Sequence, residues 1–229
     1  MLNNRLLSST QKTKRGGFTL VELLVVIGII AILAGVALGP ITSGIKTAQH
    51  NTAMQNSRSI ALLCFQYSID NNGTYPAGTT TTGGTSTSEA IAIQLLVGKY
   101  CSDPTIFYEP ATGKAKYTGN TAAGAYTDFT AANVAWDFSC VQGSGVVTGA
   151  TSSASDLLPL VWCSGNAALV YTQGTALTLQ ATNPFLYDGV AVTYKSNSAV
   201  FLKGNAQNLV ANFISPSFND PTNYVDVAP

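Results

Sequence analysis

The chain has 229 residues, 46% of them hydrophobic and only 10% charged, with 11 basic and 11 acidic side chains and no formal net charge. That balance offers no basis for nucleic-acid binding through a basic surface. Four cysteines in a body rich in Thr, Ser, Gly and Ala suit a small exported domain in an oxidising compartment.

The N-terminus carries Arg5, Lys12, Lys14 and Arg15 and no acid, followed by an apolar run. From Leu23 to Ile45 there are 23 residues without a charge, enough to span about 30 Å of hydrocarbon at ~1.5 Å per residue. A cleaved secretory signal has a shorter apolar core with a small-residue site behind it, so removal of this run is not expected. The basic flank keeps the leader cytoplasmic and sends the remainder across the membrane. One acid, Glu22, sits at the start of the run. A lone carboxylate there is costly and calls for a cationic partner, and the run contains no Lys or Arg. Cleavage after Gly17 supplies one: the new amino group of Phe18 lies four residues before Glu22. A plain signal anchor fits the length and flank but explains neither Glu22 nor the Gly-Phe junction.

The sequence Gly17-Phe18-Thr19-Leu20-Val21-Glu22, behind a basic leader and ahead of a long apolar helix, resembles the processing site of type IV prepilins and type II secretion pseudopilins. The resemblance implies cleavage by a prepilin peptidase after Gly17 and methylation of Phe18. It further implies assembly through an inner-membrane platform into a homopolymer of identical or homologous subunits, with Glu22 meeting the Phe18 amine of a neighbour. An unpaired buried charge is costly, so such a pair sets subunit stagger, and head-to-tail contacts propagate as open filaments.

Beyond Pro40, apolar or small residues at Ile45, Ala48, Thr52, Ala53, Ile60, Leu63, Cys64 and Tyr67 recur at helical spacing. This predicts one long helix from about Thr19 to Ile69, interrupted or loosened around Gly35, Gly39 and Pro40, where proline removes a hydrogen bond. In pilin families a proline at similar depth accompanies local melting in the fibre; Pro40 is one residue beyond the usual place. The run Asp70-Asn71-Asn72-Gly73-Thr74-Tyr75-Pro76 is a stop and turn, and is similar to the end of the first helix in major pseudopilins of the G class. Asn72-Gly73-Thr74 also forms a glycosylation sequon, read here as turn chemistry.

Thr79 to Ser88 is a low-complexity exposed loop. A short apolar helix is predicted over Ser88 to Val97, with Ser88 as N-cap and Gly98 as stop. Strands are predicted at Val161 to Cys163, Ala167 to Thr172, Ala176 to Gln180, Val190 to Tyr194 and Ala199 to Leu202, the last two joined by a four-residue turn, Lys195 to Ser198. The organisation is therefore a leader (1–17), a transmembrane and assembly helix (18–40), an amphipathic stem helix (41–70) and an extracytoplasmic domain (71–229). The fold class is α+β, a long N-terminal helix on a small antiparallel sheet.

Little points to catalysis. His50 lies among polar stem residues and reads as solvated or subunit-facing, and builds no triad or metal set. Gly83-Gly84 and Gly143-Ser144-Gly145 lack the Lys-Ser/Thr of a phosphate loop. Asp103, Glu109, Asp128, Asp137, Asp156 and Asp188 could pair in space, but the chain has only 11 acids. Cys64, Cys101, Cys140 and Cys163 permit three full pairings; Cys140 with Cys163 and Cys64 with Cys101 are preferred, with a free buried Cys64 as the alternative. No cofactor is expected, save calcium at Asn219, Asp220 and Asp226, which some major pseudopilins bind in a C-terminal loop. The function expected is a structural filament subunit, a pseudopilin of a type II secretion-like system or else a surface pilin. A non-assembling anchored module binding glycans through Trp136 and Trp162 is the reading from another class.

Overall fold

In a computed structural model the described residues are 17–78, 86–110, 113–119, 126, 128–143, 146–164, 169 and 171–228. The basic leader and most of the Thr-rich loop lie outside them. The chain divides into two compact units, Met1–Lys46 and Thr47–Pro229.

One helix, α1 (Leu20–Asp70), contributes to both. It runs without a break through Gly35, Gly39 and Pro40, which corrects the expected interruption. Pro40 removes the one helical donor to Val36 O, and the Thr42 hydroxyl donates to Gly39 O at 2.9 Å beside it. The second unit begins inside the stem at Thr47, because from Ala53 onward one face of α1 enters the core through Ala53, Ser57, Ile60, Ala61, Cys64 and Ser68.

Among the described residues the remaining elements are α2 (Ser88–Val97), two short 3₁₀ turns (Pro104–Phe107 and Ala131–Asn133) and eight strands. These are β1 (Asp137–Gln142), β2 (Val147–Gly149), β3 (Pro159–Trp162), β4 (Leu177–Thr178), β5 (Gly189–Tyr194), β6 (Ala199–Lys203), β7 (Leu209–Val210) and β8 (Tyr224–Val227). The main sheet is antiparallel in the order β2-β1-β3-β5-β6, with β8 also on β1; β4 and β7 form a separate ribbon. The expected α+β architecture of a long helix and an antiparallel sheet is the one found.

Local chemistry explains the differences in detail. The cap of α2 is Thr87, whose hydroxyl accepts from Ala90 N at 3.3 Å, while Ser88 is the first helical residue and fully buried. Gly98 ends the helix in a right-handed conformation and the left-handed residue is Lys99, φ 62°. The expected connection Lys195–Ser198 joins β5 and β6, with Asn197 left-handed at φ 61° and Tyr194 N donating to Ser198 O at 3.0 Å, which closes a loop of three residues inside it. This is the three-residue hairpin loop with a left-handed third position. Ala167, Ala168 and Val170 lie outside the described residues, and Leu169 and Tyr171 are not in a strand.

Two glycines permit close approaches that hold the layers together. Gly78, φ 69°, lies where an added Cβ would sit 2.7 Å from Ile91 N on α2, and its amide donates to the Gln94 carboxamide at 2.9 Å. Gly149 on β2 faces the backbone of the post-stem turn, where an added Cβ would fall 1.6 Å from Tyr75 O. Overpacking of this kind costs about 1–3 kcal/mol even where side chains can shift, and here the obstacle is backbone. Gly149→Ala is therefore expected to destabilise the domain by at least about 3 kcal/mol, read as a lowered denaturant midpoint with the slope unchanged.

Candidate functional site: the helical N-terminus

Gly17, Phe18 and Thr19 precede the helix in extended, exposed backbone, and α1 begins at Leu20. Thr19 is the cap. Its amide and hydroxyl each donate to Glu22 Oε2 at 2.8 Å, and Glu22 N donates back to the Thr19 hydroxyl at 3.2 Å. This reciprocal capping box satisfies helix-start donors and fixes the Glu22 carboxylate over the first turn. The sequence reading missed it, although Thr-Leu-Val-Glu ahead of an apolar run is the pattern that announces it. Among the described residues the box engages Oε2 alone, so Oε1 remains open to a cation.

The surface beyond is apolar on every side. Residues 17–49 are all exposed, and the large side chains from Phe18 to Ile45 stand 45–78% exposed. The helix is long and apolar enough to cross a membrane, with an 18-residue window of mean hydropathy 2.8 that the protein leaves wholly uncovered. A Cβ added at Gly17, Gly28, Gly35, Gly39 or Gly44 would meet nothing within 4 Å. Packing within the subunit does not require glycine at these positions; any demand for small residues comes from outside it, as when neighbouring apolar helices approach closely.

A family model of the prokaryotic N-terminal methylation motif matches residues 12–38. The segment is such a motif. It is typical of type IV pilins and pseudopilins, and implies processing by prepilin peptidase and assembly into filaments; with the apolar helix it fits single-pass membrane anchoring. No curated protein and no solved structure matches the chain.

The other sequence candidates take structural places. His50 is half-buried: it stacks on Phe201 with centroids 3.7 Å apart and meets Phe185 edge-on at 5.2 Å. Trp136 and Trp162 are fully buried, which removes the aromatic surface on which the glycan-binding reading stood. Asp103 caps a 3₁₀ turn through Thr105 N at 2.9 Å, Asp128 accepts from Tyr117 at 2.6 Å, and Asp156 pairs with Lys195 at 3.1 Å. Glu109 is buried with Asn56 donating to it at 3.3 Å, and burial raises its carboxyl. Among the described residues no three His, Cys, Asp or Glu side chains gather to hold a metal. Asp220 instead accepts from Ser155 N, Thr222 N and the Tyr224 hydroxyl at 2.8–3.0 Å.

No two of the four cysteines are bonded in this structure, and neither preferred pairing is formed. Asp137 pairs with Trp162, so the same register sets Cys163 opposite Trp136, four residues from Cys140. At ~3.3 Å per residue that is about 13 Å, beyond disulfide reach. Cys101 Sγ donates to Asp103 O at 3.2 Å, whereas the thiol whose charge Cys64 feels is Cys140.

An acid pair that sequence spacing does not reveal comes from β8. Asp226 lies opposite Ser139 on β1, two residues along from Asp137, and its carboxyl oxygens are shielded from solvent. Burial first, and the Asp137 charge second, push Asp226 up to about 9. The buried pair thus favours a bound proton in the native state at neutral pH, whereas both carboxyls are ionised when unfolded, where Asp titrates near 3.9. The unfolded chain then binds fewer protons, so stability falls as pH rises from about 4 to about 9. Asp226→Asn is expected to raise the unfolding midpoint at pH 8 by a few degrees and to leave it nearly unchanged at pH 4, measured by thermal unfolding in micelles.

The contact-free setting of Gly17 gives a second test. Gly17→Leu leaves the domain's unfolding midpoint unchanged yet is expected to block cleavage, so that intact mass shows only precursor.

Proposed function

We propose that the chain is a structural, non-catalytic subunit of a type IV-like filament, cut after Gly17, methylated at Phe18 and polymerised through α1. The observation that carries this is the methylation motif at the head of a helix whose apolar faces the subunit itself leaves uncovered. Burying each Leu, Ile or Val is worth about 1.5–3 kcal/mol, so the helix partitions first into lipid and then among the helices of neighbouring subunits. The Thr19 box holds Glu22 at the surface of the first turn, with Oε1 facing the incoming Phe18 amine. The precursor sits in the bacterial inner membrane, with residues 47–229 extracytoplasmic and the filament periplasmic or extracellular.

The finer reading is a pseudopilin of a type II secretion-like system. Its support is the turn after the stem, where Asn71 amide NH₂ donates to Tyr67 O at 2.8 Å, Gly73 adopts φ 77°, and Tyr75 is buried with its amide on Ala150 O at 2.8 Å. That turn fixes the exit from the stem, which is where the sequence likeness to the G class lies. A surface pilin remains the second reading, favoured by the few charges of the exported domain.

The test is peptide mass spectrometry of the chain from its native host together with a Glu22→Ala variant. The mature chain is expected to begin at methylated Phe18, and the variant to be processed normally but to yield no fibres by electron microscopy. A chain beginning at Met1 defeats the filament reading, and normal fibres from the variant defeat the charge pairing. Loss of protein secretion on gene deletion, with surface fibres absent from the wild type, marks the pseudopilin; surface fibres mark the pilin.

A further inference from the structure

The sheet face beneath the stem can be traced residue by residue. On α1, His50 stacks on Phe201 of β6, and seven residues later the Ser57 hydroxyl lies 2.8 Å from that of Thr193 on β5. Seven residues later again, Cys64 is buried at 1% exposure. Register carries the same face across the sheet: Thr193 pairs with Val161 of β3, and Val161 with Phe138 of β1. Alternate residues of a strand share a face, so Cys140, two beyond Phe138, points toward α1.

The distances agree. From Thr193 to Cys140 is two strand spacings of ~4.8 Å across and two residues of ~3.4 Å along, about 12 Å in all; from Ser57 to Cys64 is seven residues of ~1.5 Å, about 10.5 Å. The post-stem turn borders the same place, since Cys140 Sγ lies 4.0 Å from Pro76 O and its cross-strand partner Gly149 abuts Tyr75. Burial holds the Cys64 thiol well above its ordinary range, and the charge of Cys140 adds to that effect.

We propose that Cys64 and Cys140 form a disulfide that pins the stem helix α1 to strand β1. The proposal rests on the reading that residues 47–229 are exported. Two S–H bonds break and one S–S bond forms, while the two electrons and two protons released convert the disulfide of a thiol–disulfide oxidoreductase to a dithiol. Buried thiols with raised pKa are unreactive, so the bond forms while the chain folds, before α1 covers β1. Cys163 stays a thiol at the other end of the β1–β3 pair, and Cys101 stays on the Asp103 loop.

The test uses the full chain, extracted from its own membranes with an alkylating agent present and digested without reduction. Trypsin leaves Cys64 on residues 59–99 and Cys140 with Cys163 on 117–195. The expected product joins these peptides, fragmentation places the bond at Cys140, and only Cys101 and Cys163 are alkylated after unfolding. Cys163→Ser keeps the link and Cys140→Ser abolishes it. Full alkylation of all four cysteines sends the chain to oxidative refolding in micelles under a glutathione couple. If the link then forms, the pair stands and the exported reading falls. Four thiols after refolding, or a link at Cys101 or Cys163, overturns the pair.

Discussion

The first half of α1 carries exposed apolar side chains in every direction, while the second half offers the sheet one face of small and apolar residues. A single helix is thus matched to two different surroundings, and the change comes near residue 50 without a break in the hydrogen-bonded backbone. The first half tolerates glycines because no contact within the subunit depends on their side-chain space. The second half cannot vary so freely, since Ala53, Ser57, Ala61 and Ser68 let the helix lie close to the strands. Small hydroxyls there bond back to the helix, as Ser57 does to Met54 O and Ser68 to Phe65 O, so their burial leaves no donor stranded.

Glu22 gains a second role from its neighbour. In the single subunit its carboxylate already closes the helix start with Thr19. A group ordered in advance loses less conformational freedom on meeting a partner, so the capping box and the intersubunit pair reinforce each other.

The parts of the fold legible in sequence were those with strong local signals. The long helix, α2 and the β5–β6 hairpin follow from period, caps and breakers, and Gly17, Phe18 and Glu22 from one compact motif. The strands β1, β2, β7 and β8 escaped: β2 and β7 are only three and two residues long, and Asp137-Phe138-Ser139-Cys140 and Tyr224-Val225-Asp226-Val227 place acids and hydroxyls where a strand pattern expects apolar residues. Those polar positions face Ser164, Ser139 and each other across the sheet, contacts that sequence proximity does not expose. The cysteine pairing failed for a related reason: a shared place in the sheet region does not set register, and the register separates Cys140 from Cys163 along one strand pair. The stacking of His50 escaped because its polar sequence neighbours hid the ring of Phe201.

The neutral carboxyl of Asp226 makes folding a reaction with a proton among its reactants. At neutral pH an ionised side chain enters the sheet only after taking a proton from water, and it returns that proton when β8 leaves β1. The pairing of β8 with β1 is therefore also an acid–base event, and the heat of folding depends on which buffer supplies the proton.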